Sequence, residues 1–289
     1  MDSQSFTNTI KTTVLLAGLG GLLVVLGTLI FGQAGIVLGL LLGLGLVGGS
    51  YWFSDKLAVK AARARPLEPT ELPWLHEIVA QLATRADIPT PRLFLSPNAQ
   101  PNAFATGRNE RMAVVAVTQG LVNSLERDEI AGVLAHELAH VKHRDILIGS
   151  VAAAIATGIS AIANMAMWVG MLGGGSGDRE GSNPFTLLLV AITAPIAAGL
   201  MQMAVSRSRE YEADRFGAEL LGTPLPLAHA LTKLELTSQR VPMDVSPAQS
   251  SAWIVNPLAG RRVNYANLFA THPTTADRVA RLMAMTPAR

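Results

Sequence analysis

The sequence predicts a mainly α-helical membrane protein with a small β-sheet, in which four transmembrane helices join an α+β domain in the cytoplasm. Its 289 residues are 49% hydrophobic and only 15% charged, well below the roughly 25% of a soluble domain. Charge-free apolar runs alternate with polar pieces that show strand and helix patterns. The absence of cysteine excludes a disulfide framework. A net charge of +2 is too small to argue for a nucleic-acid partner, and no basic run is long enough to indicate one.

Four apolar runs predict the membrane helices. Each reaches the roughly 20 residues that cross ~30 Å of hydrocarbon as a helix. The first is too long, and too closely followed by the second, to be a cleaved signal peptide. The third and fourth contain more small and polar residues, so a pair partly buried in protein is an alternative to two full spans. The runs are 12–32, 34–53, 146–172 and 185–205.

Basic residues near the runs predict the orientation. Lysine or arginine follows the second run, precedes the third and follows the fourth, whereas the loop at 173–184 has one cation against two acids. Under the positive-inside rule, both termini and the polar domain face the cytoplasm. The predicted organisation is a transmembrane hairpin at 12–53, a first cytoplasmic part at 54–145, a second membrane pair at 146–205 and a second cytoplasmic part at 206–289.

The polar parts contain recognisable elements. A helix is expected from Pro69 to Ala86, with Thr70 as its N-cap. Three short runs separated by turn residues predict strands, and the turn residues at 107–110 predict a hairpin between the last two. A further helix begins near Ser124. The strands are 91–96, 102–106 and 112–118, and helices in the second part are expected at 206–221, 225–235 and 273–283.

A stretch of titratable residues, AHELAHVKHRD at 135–145, stands directly before the third apolar run. His136 and His140 are four positions apart, so on a helix both imidazoles project from one face and can meet one metal ion. Glu137 stands where its carboxylate reaches a water on that ion. The pattern predicts a catalytic zinc centre. The alternative is a solvated helix face with incidental histidines.

A catalytic zinc centre needs a third protein ligand. His143 is unsuitable, because it lies ~10 Å further along the helix axis than His136; it is expected at the surface or behind the ligands. The segment SRSREYEAD at 206–214 offers Glu210 and Asp214, again on one helix face. Glu210 can ligate the ion, and Asp214 can accept a hydrogen bond from the far nitrogen of a ligand histidine. The competing interpretation is a charged helix end paired with its own arginines.

HELAH, two apolar runs and SRSREYEAD, preceded by two N-terminal runs, resemble the HtpX membrane zinc metalloproteases of bacteria, relatives of the eukaryotic CAAX prenyl proteases. The resemblance covers nearly the whole chain. It implies a zincin-like protease domain of the gluzincin type, with one Zn²⁺ held by His136, His140 and Glu210. It implies Glu137 as general base and Asp214 as the partner of a ligand histidine. It also implies a stress-response role in the bacterial inner membrane, cutting misfolded or damaged membrane proteins at the cytoplasmic face.

Two further stretches are similar to features of this family. The NAFA stretch resembles its substrate-binding edge strand, where unpaired backbone groups bind an extended peptide with little side-chain preference. The alternative is an ordinary short strand. THP near the C-terminus resembles a family signature in which His272 would donate a hydrogen bond to the oxyanion, and a structural histidine at a helix start is the alternative. The edge-strand residues are Asn102, Ala103, Phe104 and Ala105.

The expected partners are unfolded or misfolded membrane proteins, the lipid bilayer and other membrane quality-control proteins. One alternative is a processing protease for a defined substrate such as a prenylated tail. Another is a scaffold or holdase with a structural zinc, but such a site has four protein ligands and needs no base, so Glu137 argues against it. A transporter has little support, because no ionisable residue lies inside an apolar run.

Overall fold

The structure is a computed structural model. It describes residues 33–149, 151–152, 207–243, 245, 252–257 and 273–285, together with isolated helical positions between 10 and 28. The predicted fourth membrane run lies outside the described residues, and the third is described only at its start. Across these ranges, no helix is both long enough and apolar enough to cross a membrane. The described part is mainly α-helical with one small mixed sheet.

The first helix, α1, spans Gln33–Ala61 and contains the second apolar run. Several of its apolar side chains are exposed, with Val37 at 60% and Leu44 at 64%. Near its C-terminal end Asp55 forms an ion pair with Arg92, at 2.9 Å between the carboxylate and Nη2. Because Arg92 begins a strand of the sheet, this pair ties the apolar helix to the polar domain.

Four strands form the sheet, in the order β1-β2-β4-β3. β2 (Arg92–Ser96) is parallel to β4 (Val114–Thr118), whose five residues are all buried. β3 (Ala103–Thr106) is antiparallel to β4 and lies at the edge. The three predicted strands and the hairpin are therefore confirmed. β1 (Arg65–Pro66), antiparallel to β2, was not predicted, because two residues show no periodicity.

Helix α2 spans Pro73–Arg85 and begins later than the sequence predicted. The prediction of Thr70 as its N-cap is wrong: the cap is Leu72, which makes no side-chain hydrogen bond to the helix. Pro73 begins the helix instead, since its fixed φ suits the first turn and its missing N–H would have no partner there.

A short helix, α3 (Gln119–Ser124), was not predicted, and the helix predicted from about Ser124 is α4 (Arg127–Lys142), which begins three residues later. Between them the chain is extended, and Glu126 caps α4 in a capping box with Glu129. Each carboxylate accepts a hydrogen bond from the backbone N–H of the other residue. The later start of α4 was not anticipated, because glutamate is not among the preferred N-cap residues.

The described residues of the second polar part contain the three predicted helices, α5 (Arg207–Leu221), α6 (Leu225–Ser238) and α7 (Thr275–Met283). α4 contacts α2, α5, α6 and β3. Apolar side chains of both polar parts, among them Leu134 of α4 and Leu231 of α6, form one buried core. α4 therefore lies at the centre of the domain, with its motif residues inside.

Candidate active site

Helix α4 presents the motif residues in the interior. His136 and Glu137 are 1% and 3% exposed. The rings of His136 and His140 lie 4.8 Å apart at 89°, as their i, i+4 spacing on one helix face requires. Buried polar rings need polar partners, and these come from elements distant in sequence.

Helix α5 brings Glu210 to the two histidines. His136 Nε2 is 3.2 Å from His140 Nε2, and the Glu210 carboxylate oxygens lie 3.7 Å and 3.5 Å from these two nitrogens. Ligand bonds of ~2.0–2.1 Å to a tetrahedral zinc ion would separate ligand atoms by about 3.3–3.4 Å. The observed separations match this spacing. His136, His140 and Glu210 are therefore positioned to bind one metal ion.

The charges around these residues also suit a divalent cation. Four carboxylates are buried within the cluster, and among the described residues the guanidinium groups of Arg209 and Arg278 form ion pairs with three of them. Buried like charges are costly unless a cation or protons balance them. The carboxylates belong to Glu137, Asp145, Glu210 and Asp214.

Asp214 lies behind the first histidine, in the position the sequence predicted. Its Oδ1 is 2.9 Å from His136 Nδ1, which leaves Nε2 of the ring directed toward Glu210. Arg278 of α7 donates two hydrogen bonds to Asp214, of 2.8 Å and 2.6 Å. Its positive charge outweighs the effect of burial and lowers the pKa of Asp214 to about 2. Sequence reasoning missed Arg278, because no spacing links α7 to the motif.

A second carboxylate, Asp145, lies behind the other histidine. Its Oδ2 is 3.1 Å from His140 Nδ1, and its Oδ1 is 3.6 Å from Nε of Arg209. Sequence reasoning missed both residues. Asp145 is five positions after His140, a spacing that does not share a face on a continuous helix.

Close packing of α4 on α5 brings the ligands together. A Cβ atom at Gly217 would lie 3.0 Å from the backbone nitrogen of His136. Glycine therefore allows the two helices to approach at the level of the first ligand. Glu210 lies on the same helix as Gly217, so the separation of the helices determines its distance from the histidines.

Glu137 lies between the ligands and the edge strand. Burial, the largest effect, raises the pKa of Glu137 to about 7, while the nearby backbone N–H of Ala105 favours its charged form. A carboxyl group with a pKa near 7 can both accept and return a proton at neutral pH.

The two histidines differ in their affinity for protons. Burial, followed by the charge of Arg278, lowers the pKa of His136 to about 4. Burial also disfavours the charged form of His140. The hydrogen bond to Asp145 and the charge of Glu210 outweigh that effect and raise the pKa of His140 to about 9. Zinc binds neutral imidazole, so it competes with the proton on His140.

The predicted substrate-binding edge, Asn102 to Ala105, lies at the open side of β3. Thr118 N–H donates to the Asn102 carbonyl, so in the antiparallel ladder Ala103 and Ala105 direct their backbone groups outward. Ala103 is already engaged, because its carbonyl accepts a 3.1 Å hydrogen bond from Ile254 N–H. The outward groups of Ala105 lie beside Glu137 instead.

The segment 252–257 is anchored on this edge by further contacts. The Asn102 side chain donates to the Val255 carbonyl at 2.9 Å. Trp253 packs edge-to-face on Phe104, with ring centroids 4.7 Å apart. Arg278 also donates a 3.0 Å hydrogen bond to the Ile254 carbonyl. The start of the edge strand is thus covered by the chain's own backbone.

Two other histidines were considered from the sequence. His272 lies outside the described residues. His143 is buried, at 7% exposure, and its ring packs edge-to-face against Phe216 at 5.3 Å between centroids. It is not part of the ligand cluster, as its helical spacing predicted.

Comparisons with known proteins agree with this geometry. Residues 69–286 match peptidase family M48. A protease HtpX homolog of Persephonella marina is 49% identical over 282 residues, covering 96% of this chain and 97% of the relative. The protease HtpX of Legionella pneumophila strain Lens is 49% identical over 281 residues, covering 96% and 99%. The crystal structure of S. mikatae Ste24p is similar in fold, with a TM-score of 0.51 and 23% identity, covering 96% of this chain and 66% of that one.

A His-Glu-x-x-His helix whose two histidines share an ion with a glutamate of a second helix defines a zinc metallopeptidase. The chain belongs to peptidase family M48. It is therefore a zinc metalloprotease, and His136, His140 and Glu210 are positioned to bind its metal. The similarity to the HtpX proteases also supports a membrane location.

Replacing Gly217 by alanine should weaken zinc binding by about tenfold, a loss typical of changes that misplace a ligand. The added Cβ would meet His136 backbone nitrogen at 3.0 Å, so α5 must move and carry Glu210 away from the histidines. Competition with a chromogenic chelator measures the affinity. Gly149→Ala is the matched control, since no heavy atom lies within 4 Å of its Cβ position. Equal affinities in both variants would contradict this account.

Zinc binding near pH 6 should release about one proton from His140, whose pKa is about 9. His136, with a pKa of about 4, is already neutral and releases none. Calorimetric titration in two buffers of different ionisation enthalpy counts the protons, and Glu137→Gln removes any contribution from that carboxyl group. The release should decline as the pH approaches 9. A release of zero at pH 6 would show that His140 is neutral there.

Proposed function

We propose that the chain is an integral membrane endopeptidase that hydrolyses misfolded or damaged membrane proteins at the cytoplasmic face of the bacterial inner membrane. In this role it serves quality control under stress. The observation that carries the proposal is the position of Glu137: it is buried directly beside the three ligands and beside an outward-facing strand edge. A structural zinc site needs no carboxylate beside its ligands to act as a base.

The chemistry divides between the ion and the protein. Bound zinc would make water acidic enough to attack at neutral pH and would polarise the scissile carbonyl. Glu137 accepts the proton of the attacking water and passes it to the departing amine as the C–N bond breaks. Its pKa of about 7 suits both transfers. Asp214, fixed by Arg278, keeps the imidazole of His136 in the orientation that ligates.

The edge of β3 is the proposed binding surface for the substrate backbone. Ala105 directs its N–H and C=O outward, next to Glu137, so a peptide paired there would pass close to the base. Backbone pairing is indifferent to most side chains, which suits an enzyme that cuts many unfolded sequences. Asn102 and Ala103 are already bonded to 254–255, so the substrate pairs beyond them.

His272 is proposed to stabilise the oxyanion. It directly precedes Pro273 and Thr274, which lead into α7. Because α7 also carries Arg278 into the site, its start is a suitable origin for a hydrogen-bond donor to the developing charge.

The proposed membrane arrangement is four helices at 12–32, 34–53, 146–172 and 185–205, with both termini and the protease domain in the cytoplasm. The basic residues beside the runs support this topology. Exposed apolar side chains on α1, such as Val37 and Leu44, suit contact with lipid. The catalytic residues then stand close to the bilayer, where membrane-protein substrates emerge. Other membrane quality-control proteins are the expected partners.

Glu137→Gln should abolish cleavage while leaving metal content intact. The amide keeps the size of the side chain but cannot accept the proton, and losing a general base costs at least about 10²–10⁴-fold in rate. Casein cleavage by detergent-purified protein with added zinc gives the activity, and elemental analysis gives the metal. Glu212→Gln is the control, because Glu212 pairs with Arg215 on another face of α5.

The outcomes of this experiment separate the alternatives. About one zinc per chain without cleavage in Glu137→Gln, beside an active wild type, supports the proposal. If the wild type binds zinc but cuts neither casein nor other unfolded chains, a processing protease for one substrate or a non-catalytic scaffold is favoured. If Glu137→Gln retains activity, Glu137 is not the base.

If a cleavable peptide pairs with β3 as a strand, N-methylation of the peptide should raise KM only at alternate positions. Methylating an N–H that faces the strand edge should raise KM by about tenfold, the equivalent of one lost hydrogen bond. Methylating the neighbouring residue should change KM little, because its N–H points away. A scan of peptides methylated at successive positions, away from the scissile bond, measures the pattern. A response without alternation would exclude strand pairing.

A further inference from the structure

We propose that Asp145, held by Arg209, is a positioning residue for His140, with a part equal to that of Asp214 for His136. The inference rests on the proposed function of the site as a catalytic zinc centre. It adds a second carboxylate and a second arginine to the groups that hold the ligands in place.

The contacts form a continuous chain from arginine to ligand. Nε of Arg209 lies 3.6 Å from Oδ1 of Asp145, and Oδ2 of Asp145 lies 3.1 Å from Nδ1 of His140. The three side chains are 10%, 8% and 15% exposed, so water screens these charges only weakly. A bond at Nδ1 places the lone pair of His140 on Nε2, the atom that faces Glu210 at 3.5 Å.

A left-handed turn brings Asp145 into this position. α4 ends at Lys142, and Arg144 has φ +59°, after which helical residues resume at 145–149. A non-glycine residue in this region is uncommon and disfavoured. On a continuous helix, positions 140 and 145 would be about 140° apart in rotation. The turn removes that separation and places the carboxylate behind the ring.

The two histidines are therefore held by matching groups. His136 is bonded to Asp214, and Arg278 holds that carboxylate. His140 is bonded to Asp145, which Arg209 holds. A carboxylate bonded to the far nitrogen fixes the tautomer and the ring orientation and makes the ligand more basic. Without Asp145, only one of the two imidazoles would be oriented in this way.

The second set of groups also joins two distant parts of the chain at the site. Asp145 directly precedes the apolar run 146–172, and Arg209 follows shortly after the run 185–205. Arg209 is also the neighbour of Glu210 on α5. The ion pair thus holds together the two points where the chain leaves and re-enters the protease domain, and it does so within contact of a ligand.

Asp145→Ala should weaken zinc binding by about 10–100-fold, the range for loss of such a partner. Asp145→Asn, which keeps an oxygen that can accept the bond, should lose less. The ligand-field absorption of the Co²⁺-loaded protein should change in Asp145→Ala and return toward wild type in Asp145→Asn. Asp87→Asn is the matched control, since that carboxylate is fully exposed near the same helix. Unchanged zinc affinity and cobalt spectrum in Asp145→Ala would overturn the proposal.

A double-mutant cycle tests the part of Arg209. Arg209→Gln alone should weaken zinc binding several-fold, and adding it to Asp145→Ala should cause little further loss, because both act through one interaction. Additive losses would overturn the shared role. An equal fall in the unfolding midpoints of metal-free and zinc-loaded protein would instead assign both residues to general stability. Because the readouts are affinity and spectrum, they are independent of whether the wild type cuts casein.

Discussion

The site depends on the burial of four carboxylates around two imidazole rings. Four carboxylates and two guanidinium groups surround His136 and His140. Buried carboxylates are stable only if positive charges or bound protons neutralise them. Burial raises the pKa of Glu137 to about 7, and the hydrogen bond to Asp145 and the charge of Glu210 outweigh burial and raise the pKa of His140 to about 9. A divalent metal would bring positive charge to the same place, which would favour the ionised form of Glu137, the proposed base.

The candidate metal ligands could be predicted because residues four positions apart in the sequence lie on the same face of a helix. His136 with His140, and Glu210 with Asp214, are i, i+4 pairs, and each pair has one possible face. Arg278 could not be predicted in this way, since it reaches the site from a separate helix through tertiary packing. Asp145 was hidden for another reason: the turn at Arg144 breaks the periodicity on which such reasoning relies.

The same holds for the fold: elements that neighbouring residues determine were predicted, and elements that depend on contacts between distant residues were missed. β2, β3 and β4 were recognisable because turn residues separate three short runs, and the three described helices of the second polar part were also predicted. β1 depends on pairing with β2 alone. The start of α4 depends on a glutamate capping box, a local device that ordinary cap preferences do not single out. Hydropathy predicts which runs prefer hydrocarbon and how many there are, whereas their orientation follows from the weaker positive-inside rule.

The segment 252–257 along β3 has a consequence for solubility and for alignment. The unpaired backbone groups of an open sheet edge can bind strands of other chains, which leads to aggregation. This is a hazard for any protein that binds unfolded chains. By bonding Ala103 to Ile254, the protein shortens its open edge to the stretch around Ala105. A strand paired at that stretch would form few hydrogen bonds with the edge. Because 254–255 already occupies Asn102 and Ala103, a substrate bound as proposed would begin its pairing at Ala105, the residue of the edge that lies beside Glu137.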